Sequence, residues 1–91
     1  MINMLEVDGL VWQAGKVFVS YCPELDVSSC GDTVEEARTN LRVAVRLFLA
    51  ETERMGTLDS ILKEAGFKRT RKGWQAPRLL ATELISVPVG E

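Results

Sequence analysis

The first part of the chain alternates apolar and polar positions, a pattern typical of half-buried β-strands. Leu5 and Val7 alternate with acidic side chains, and a β-branched and aromatic run follows a glycine-containing turn. This pattern predicts a β-hairpin of residues 4–13 with residues 16–22. Pro23 ends the second strand, because proline has no N–H to donate to a ladder.

A third, shorter strand is predicted over residues 25–30, which are more polar than the hairpin and are expected near an edge of the sheet. Alternation along the second strand divides its side chains between the two faces of the sheet. One face carries Val17, Val19 and Tyr21, and the other carries Phe18, Ser20 and Cys22.

A change to three- and four-residue spacing predicts a long amphipathic helix after the strands. Thr33 and Glu36 have the spacing of a capping box, in which each side chain accepts the backbone N–H of the other residue. The helix is expected to continue to about residue 54, and Gly56 stops it. Its apolar positions are Val34, Ala37, Leu41, Ala44, Val45 and Phe48.

The remainder of the chain predicts a short helix, a basic segment and a final strand. The short helix lies between Thr57 and Gly66, and residues 67–78 are polar and basic, with a small hairpin about Lys72 and Gly73. The alternating pattern then returns, and the inward positions of the final strand are Ile85, Val87 and Val89.

The element order is therefore β-β-β-α-α-β, an α+β fold with a small sheet and one long helix packed on one of its faces. We expect a single domain over residues 1–91. Its core comprises residues 4–54 and the terminal strand 83–89, and residues 57–82 supply the short helix and the basic connecting segment. A right-handed crossover allows the last strand to pair parallel to a strand of the meander.

Composition narrows the class of protein. The chain has 91 residues, of which 46% are hydrophobic, and a net charge of -2. That apolar fraction excludes intrinsic disorder, and the small acidic excess argues against nucleic-acid binding over the whole surface. No stretch is long and apolar enough for a membrane span, and no secretory leader is recognisable. We therefore expect a cytoplasmic protein with no membrane association.

The residue types also limit the chemistry. There is no histidine, which excludes His-activated nucleophiles and His-ligated metals. Cys22 and Cys30 are too few for a thiolate zinc site, and we expect free thiols, with a disulfide between them as the alternative. Acidic residues on strands and turns leave a two-metal nuclease as a further alternative, but the helix acids are better explained as capping and surface charges. We expect no catalytic residue, metal or cofactor.

Two groups of basic residues are candidates for binding. Arg38, Arg42 and Arg46 form a stripe on the long helix that either is solvated or contacts phosphates or an acidic partner. Five basic residues and no acid lie between residues 65 and 82, beside aromatic side chains. Proteins that bind single-stranded nucleic acid need basic residues to neutralise phosphates and aromatic residues to stack on bases. A solvent-exposed hairpin whose tryptophan packs on the core would give the same composition. The candidate nucleic-acid contacts are Lys68, Arg69, Arg71, Lys72 and Trp74.

The stretch from Cys22 to Ala37, with Asn40 and Leu41 after it, resembles the HicB-like antitoxin family. The shared features are the Pro-Glu-Leu end of the second strand, the Gly-Asp-Thr turn, the Glu-Glu-Ala helix start and the Asn-Leu pair one turn later. The likeness covers residues 4–54 closely and the terminal strand loosely.

The resemblance implies a partial ribonuclease-H-like fold without its catalytic acids. It also implies a non-catalytic prokaryotic protein that binds and neutralises a small, basic, RNA-cleaving toxin of the HicA type. We expect a homodimer or higher oligomer formed through an exposed strand edge or the helix face. Family members that bind operator DNA carry a further segment, for which residues 57–91 leave no room, so DNA binding is not expected. The alternative is an orphan nucleic-acid-binding or oligomeric interaction module that uses residues 67–78.

Overall fold

The structure, a computed structural model, describes residues 4–90. Three antiparallel strands form the main sheet in the order β1-β2-β3: β1 is Leu10–Ala14, β2 is Val17–Cys22 and β3 is Val27–Gly31. The predicted hairpin and the predicted third strand near an edge are therefore confirmed.

The first strand begins later than the pattern predicted. Leu10 pairs with Tyr21 near the end of β2, so Gly9 lies opposite Cys22 and the residues before Gly9 lie opposite Pro23 and the turn that follows it. The N–H of Asp8 instead donates to the Glu24 carboxylate at 2.9 Å. Residues 4–9 consequently have no ladder partner, although Leu5 and Val7 still pack against the core.

The long helix, α1 (Val34–Met55), begins and ends where the sequence predicts. The Thr33 hydroxyl accepts the N–H of Glu36 at 3.0 Å. The Glu36 carboxylate accepts from the N–H of Asp32 at 3.3 Å, one residue before the predicted partner. Gly56 ends the helix at φ +77°, a left-handed conformation that glycine adopts without a side-chain clash.

A second helix and a small hairpin follow α1. They are α2 (Leu58–Glu64), β4 (Lys68–Thr70) and β5 (Gly73–Gln75), and β4 and β5 form a separate antiparallel pair. These elements confirm the short helix and the hairpin about Lys72 and Gly73. Side chains from the sheet, α1, α2 and the start of the hairpin form one buried cluster: Cys22, Leu25, Leu41, Leu62 and Phe67.

The predicted final strand at residues 83–89 is wrong. Residues 76–90 contain no helix or strand, and every residue from 77 to 90 is exposed. The alternation identified an extended segment, but a strand also needs a partner edge, and the chain does not return to the sheet. The element order is thus β-β-β-α-α-β-β, still a small α+β fold.

The extended C-terminus makes the molecule long. The radius of gyration is 15.6 Å and the principal extents are 50 × 29 × 20 Å. A compact chain of this length has a radius of gyration of about 12 Å. Neither helix in the described residues has the length and apolarity that crossing a bilayer requires.

Candidate interaction surface

The two faces of the main sheet differ in what covers them. Residues opposite each other in an antiparallel pair point to the same side, so Ser20 and Cys22, both fully buried, define the face beneath α1. The other face, which we call the outer face, is not covered by any element of the described chain. It carries Leu10, Trp12, Ala14, Val17, Val19, Tyr21, Ser28 and Cys30.

The outer face is apolar at its centre and carries two aromatic side chains. Trp12 lies opposite Val19 and is 47% exposed. Its ring packs edge-on against Tyr21, with the ring centroids 6.5 Å apart and the planes at 70°. This cross-strand pair holds Trp12 in place and leaves about half of its surface available for contact with another molecule.

An acidic residue borders this surface. The Tyr21 hydroxyl donates to Asp26 Oδ1 at 2.8 Å, in the turn between β2 and β3. This hydrogen bond to the Asp26 carboxylate raises the pKa of Tyr21, because it favours the neutral phenol and the adjacent negative charge disfavours the phenolate. Tyr21 therefore remains a neutral hydrogen-bond donor throughout the physiological pH range.

Charge is distributed unevenly along the chain. Residues 1–36, which contain the sheet, hold seven acidic residues and one basic residue, whereas residues 37–91 hold ten basic and six acidic residues. Asp8, Glu24 and Asp26 lie at the end of the sheet where β1 begins and β2 ends. The strands themselves contain no acidic residue, so this negative charge lies in the segments that border the sheet and in the first turn of α1.

The two cysteines lie on opposite faces of the sheet. Cys22 is buried beneath α1 and its thiol donates to Glu24 Oε1 at 3.6 Å, whereas Cys30 is exposed on the outer face. Burial raises the pKa of the Cys22 thiol, so it stays protonated and unreactive. Both are free thiols, and the alternative of a disulfide between them is wrong.

The predicted nucleic-acid contacts are brought together on the β4–β5 hairpin. Arg69 pairs with Trp74 across the two strands, and its guanidinium lies 5.1 Å from the centroid of the indole ring. Arg69 also contacts Asp59 of α2 at 3.5 Å. Trp74 is half-buried against the core, so Arg69 and the core cover the ring that would stack on a base. The remaining predicted contacts, Lys68, Arg71 and Lys72, are exposed.

The arginine stripe of α1 is exposed. Arg38 pairs with Glu35 one turn earlier at 3.2 Å, and Arg42 lies beside a groove between α1 and residues 5–11. Arg46 is exposed on the same helix. Within residues 4–90, the acidic and cysteine side chains form no group of three that could hold a metal ion.

Comparisons of the chain with protein-family models, with curated proteins and with solved structures find no match. The likeness to HicB-like antitoxins thus rests on the sequence motifs between Cys22 and Leu41.

The outer face is the surface that sequence reasoning did not single out. The sequence of β2 indicates this surface, because apolar residues occupy the positions of both its faces. One helix can cover only one face of the sheet, so the other face must stay exposed or bind a partner. The position of Trp12 adds to this signal, because the register places it beside Val19 at the centre of the uncovered side.

Proposed function

We propose that this chain is a non-catalytic, antitoxin-like binding protein that covers a small, basic, RNA-cleaving toxin of the HicA type. The observation that carries the proposal is the uncovered outer face, with Trp12 and Tyr21 at its apolar centre. Stable protein interfaces have this arrangement of aromatic anchors surrounded by polar residues.

Charge supports a basic partner. The sheet belongs to the part of the chain with six more acidic than basic residues. A ribonuclease that binds RNA phosphates presents a positive surface, and complementary charge speeds association and selects the partner. On this proposal the sheet, with the acidic residues that border it, competes with RNA for the same basic surface of the toxin, and the protein acts in the cytoplasm, where cellular RNA is found.

The motif resemblance supports the same class of partner. It leads us to propose also that the meander and α1 form a partial ribonuclease-H-like arrangement without catalytic acids. A three-stranded antiparallel sheet followed by a long helix is compatible with that relationship.

The test is inhibition of RNA cleavage by a HicA-type toxin encoded beside this chain's gene. Wild-type protein is expected to co-purify with the toxin and to abolish its cleavage of single-stranded RNA. Trp12→Ala is expected to weaken binding about thirtyfold, the effect of losing an anchor of about 2 kcal/mol. The matched control is Leu47→Ala, which removes a side chain that is 63% exposed on α1, away from the sheet.

Two outcomes would contradict the proposal. One is the absence of any complex between the wild-type protein and such a toxin. The other is full inhibition by Trp12→Ala protein, which would place the contact on another surface. Circular dichroism of each variant shows whether a loss of binding is a loss of fold.

The exposed basic side chains of the β4–β5 hairpin favour a second candidate function, an orphan nucleic-acid-binding module. Lys68, Arg71 and Lys72 all project into solvent. If they bind phosphates, the affinity for single-stranded RNA falls steeply with salt, and the double variant Arg71→Glu and Lys72→Glu reduces that slope. Wild-type protein that shows no salt-sensitive binding to RNA excludes this function.

A further inference from the structure

The C-terminal segment is apolar, extended and unpaired. Leu84 is 97% exposed and Val89 is 91% exposed. Ile85, Val87 and Val89 recur at every second position, the spacing of one face of a β-strand. The segment therefore has the pattern of a strand whose apolar side faces a core, but its own chain supplies no edge to pair with it.

The sheet offers a free edge with an apolar groove beside it. β1 is one of the two edge strands of the main sheet, so one side of its backbone has N–H and C=O groups with no strand to pair with. A groove of about 340 Å³ lies between residues 5–11 and α1. Its apolar lining comprises Leu5, Val7, Val11, Leu41 and Val45, and three charged residues, Asp8, Arg38 and Arg42, also line it.

The segment matches the edge of β1 in length and the groove in chemistry. Six residues in a β-strand span about 20 Å, close to the length of the five-residue strand β1. Pro88 fits an edge strand, because its position without an N–H can face solvent instead of β1. The apolar face of the segment would replace water along the apolar lining of the groove.

The geometry of the connection favours a groove on another chain. Residues 78–84 contain no glycine, proline, asparagine or aspartate, the residues that form tight reversals. The chain instead continues outward and gives the molecule its 50 Å length. When two identical chains exchange such segments, each segment gains a strand to pair with and each groove is covered. Exchange of this kind is a low-cost route to a symmetric dimer.

We propose that this protein dimerises by reciprocal strand exchange, in which residues 84–89 of each chain lie beside β1 of the second copy and reach the groove at the start of that strand. The outer face of each sheet stays uncovered in this arrangement. The inference does not depend on the proposed function, because the groove and the outer face are different surfaces.

The test combines molecular mass with amide hydrogen exchange on the full chain. Wild-type protein is expected to have the mass of two chains, and the amides of Ile85, Val87 and Val89, which would face β1, are expected to be protected from exchange. Dilution should remove that protection as the dimer dissociates. Val87→Asp should give a monomer with unchanged circular dichroism, because the Val87 side chain is 67% exposed within its own chain. The matched control, Leu80→Asp, changes an apolar side chain outside the segment that is 83% exposed, more than Val87, and should remain dimeric.

Any other combination of molecular mass and amide protection contradicts strand exchange. Concentration-independent protection in a monomer means that the segment folds onto its own groove. A dimer that Val87→Asp leaves intact has its interface elsewhere. Unprotected amides in wild-type protein at high concentration show that the groove holds no strand, and this result applies even if the Val87→Asp variant does not fold.

Discussion

Among the single residues, Ser20 is a polar side chain buried in the apolar core. It is fully buried in the central strand beneath α1, and its hydroxyl has no hydrogen-bond partner among residues 4–90. A buried hydroxyl without a partner loses its hydrogen bonds to water and gains nothing in return.

Replacing Ser20 by alanine should therefore stabilise the protein. We expect Ser20→Ala to raise the free energy of unfolding by about 1 kcal/mol, measured from urea unfolding curves. Ser28→Ala, on the exposed outer face of the neighbouring strand, is the control and should change it by less than about 0.5 kcal/mol. A loss of stability in Ser20→Ala would show that the hydroxyl does have a partner in solution.

The single tyrosine provides a second test at this scale. Because the hydrogen bond to Asp26 raises its pKa, the absorbance titration of Tyr21 should have its midpoint above the usual value of about 10. The same shift makes the free energy of unfolding depend on pH. The hydrogen-bonded neutral phenol stabilises the folded protein fully below the pKa of Tyr21 in the unfolded chain, and this stabilisation is lost as the pH rises through the higher pKa in the folded protein.

Asp26→Asn isolates the charge in this interaction. Asp26 lies at φ +56°, a left-handed conformation that asparagine also tolerates, so the turn should be kept. The midpoint for Tyr21 is expected to fall towards the ordinary value in Asp26→Asn and to stay unchanged in Asp32→Asn. Equal midpoints in the wild type and Asp26→Asn would contradict the assigned cause.

At the scale of elements, the close approach of β3 to α1 depends on Gly31. A Cβ added there would lie 2.6 Å from the backbone nitrogen of Ala37, and neither backbone can move without shifting the start of the helix. Gly31→Ala should lower the free energy of unfolding by at least about 2 kcal/mol, measured by urea unfolding. In the control Gly9→Ala, the nearest atom is the side-chain Cδ2 of Leu41 at 3.2 Å, which can yield, so the loss should be smaller. Equal losses would contradict this account of the packing.

Local chemistry made the elements from the hairpin to the end of α1 predictable. Pro23, the Thr33 cap and Gly56 each act within a few residues of their own position, so the sequence shows where those elements end. The start of β1 and the final strand could not be predicted in this way. Each depends on whether a partner lies opposite, and that is decided by the register with β2 and by the path of the chain after Pro77.

The candidate surface was predictable only in part, for the same reason. The charge cluster on residues 67–78 is visible in the sequence, but the cover that Arg69 places over Trp74 is a tertiary contact. The outer face likewise becomes recognisable only when α1 is seen to cover one side of the sheet. The resemblance to a partial ribonuclease-H-like fold stays a prediction.

Over the whole molecule, two separate surfaces are proposed to bind two different partners. We propose that a second copy of the chain occupies the edge of β1 and the groove at its start, and that a basic toxin binds the apolar, aromatic outer face. Both can be occupied together, because β1 presents its free edge to one partner and its outward side chains to the other.

Alkylation of Cys30 shows whether the outer face is the binding surface, because this exposed thiol lies on the outer face whereas Cys22 is buried. Iodoacetamide should label one thiol per native chain, and a saturating amount of the HicA-type toxin should slow that labelling at least about tenfold. An unchanged labelling rate, in a sample where the complex is shown to have formed, would contradict the assignment of the outer face as the binding surface.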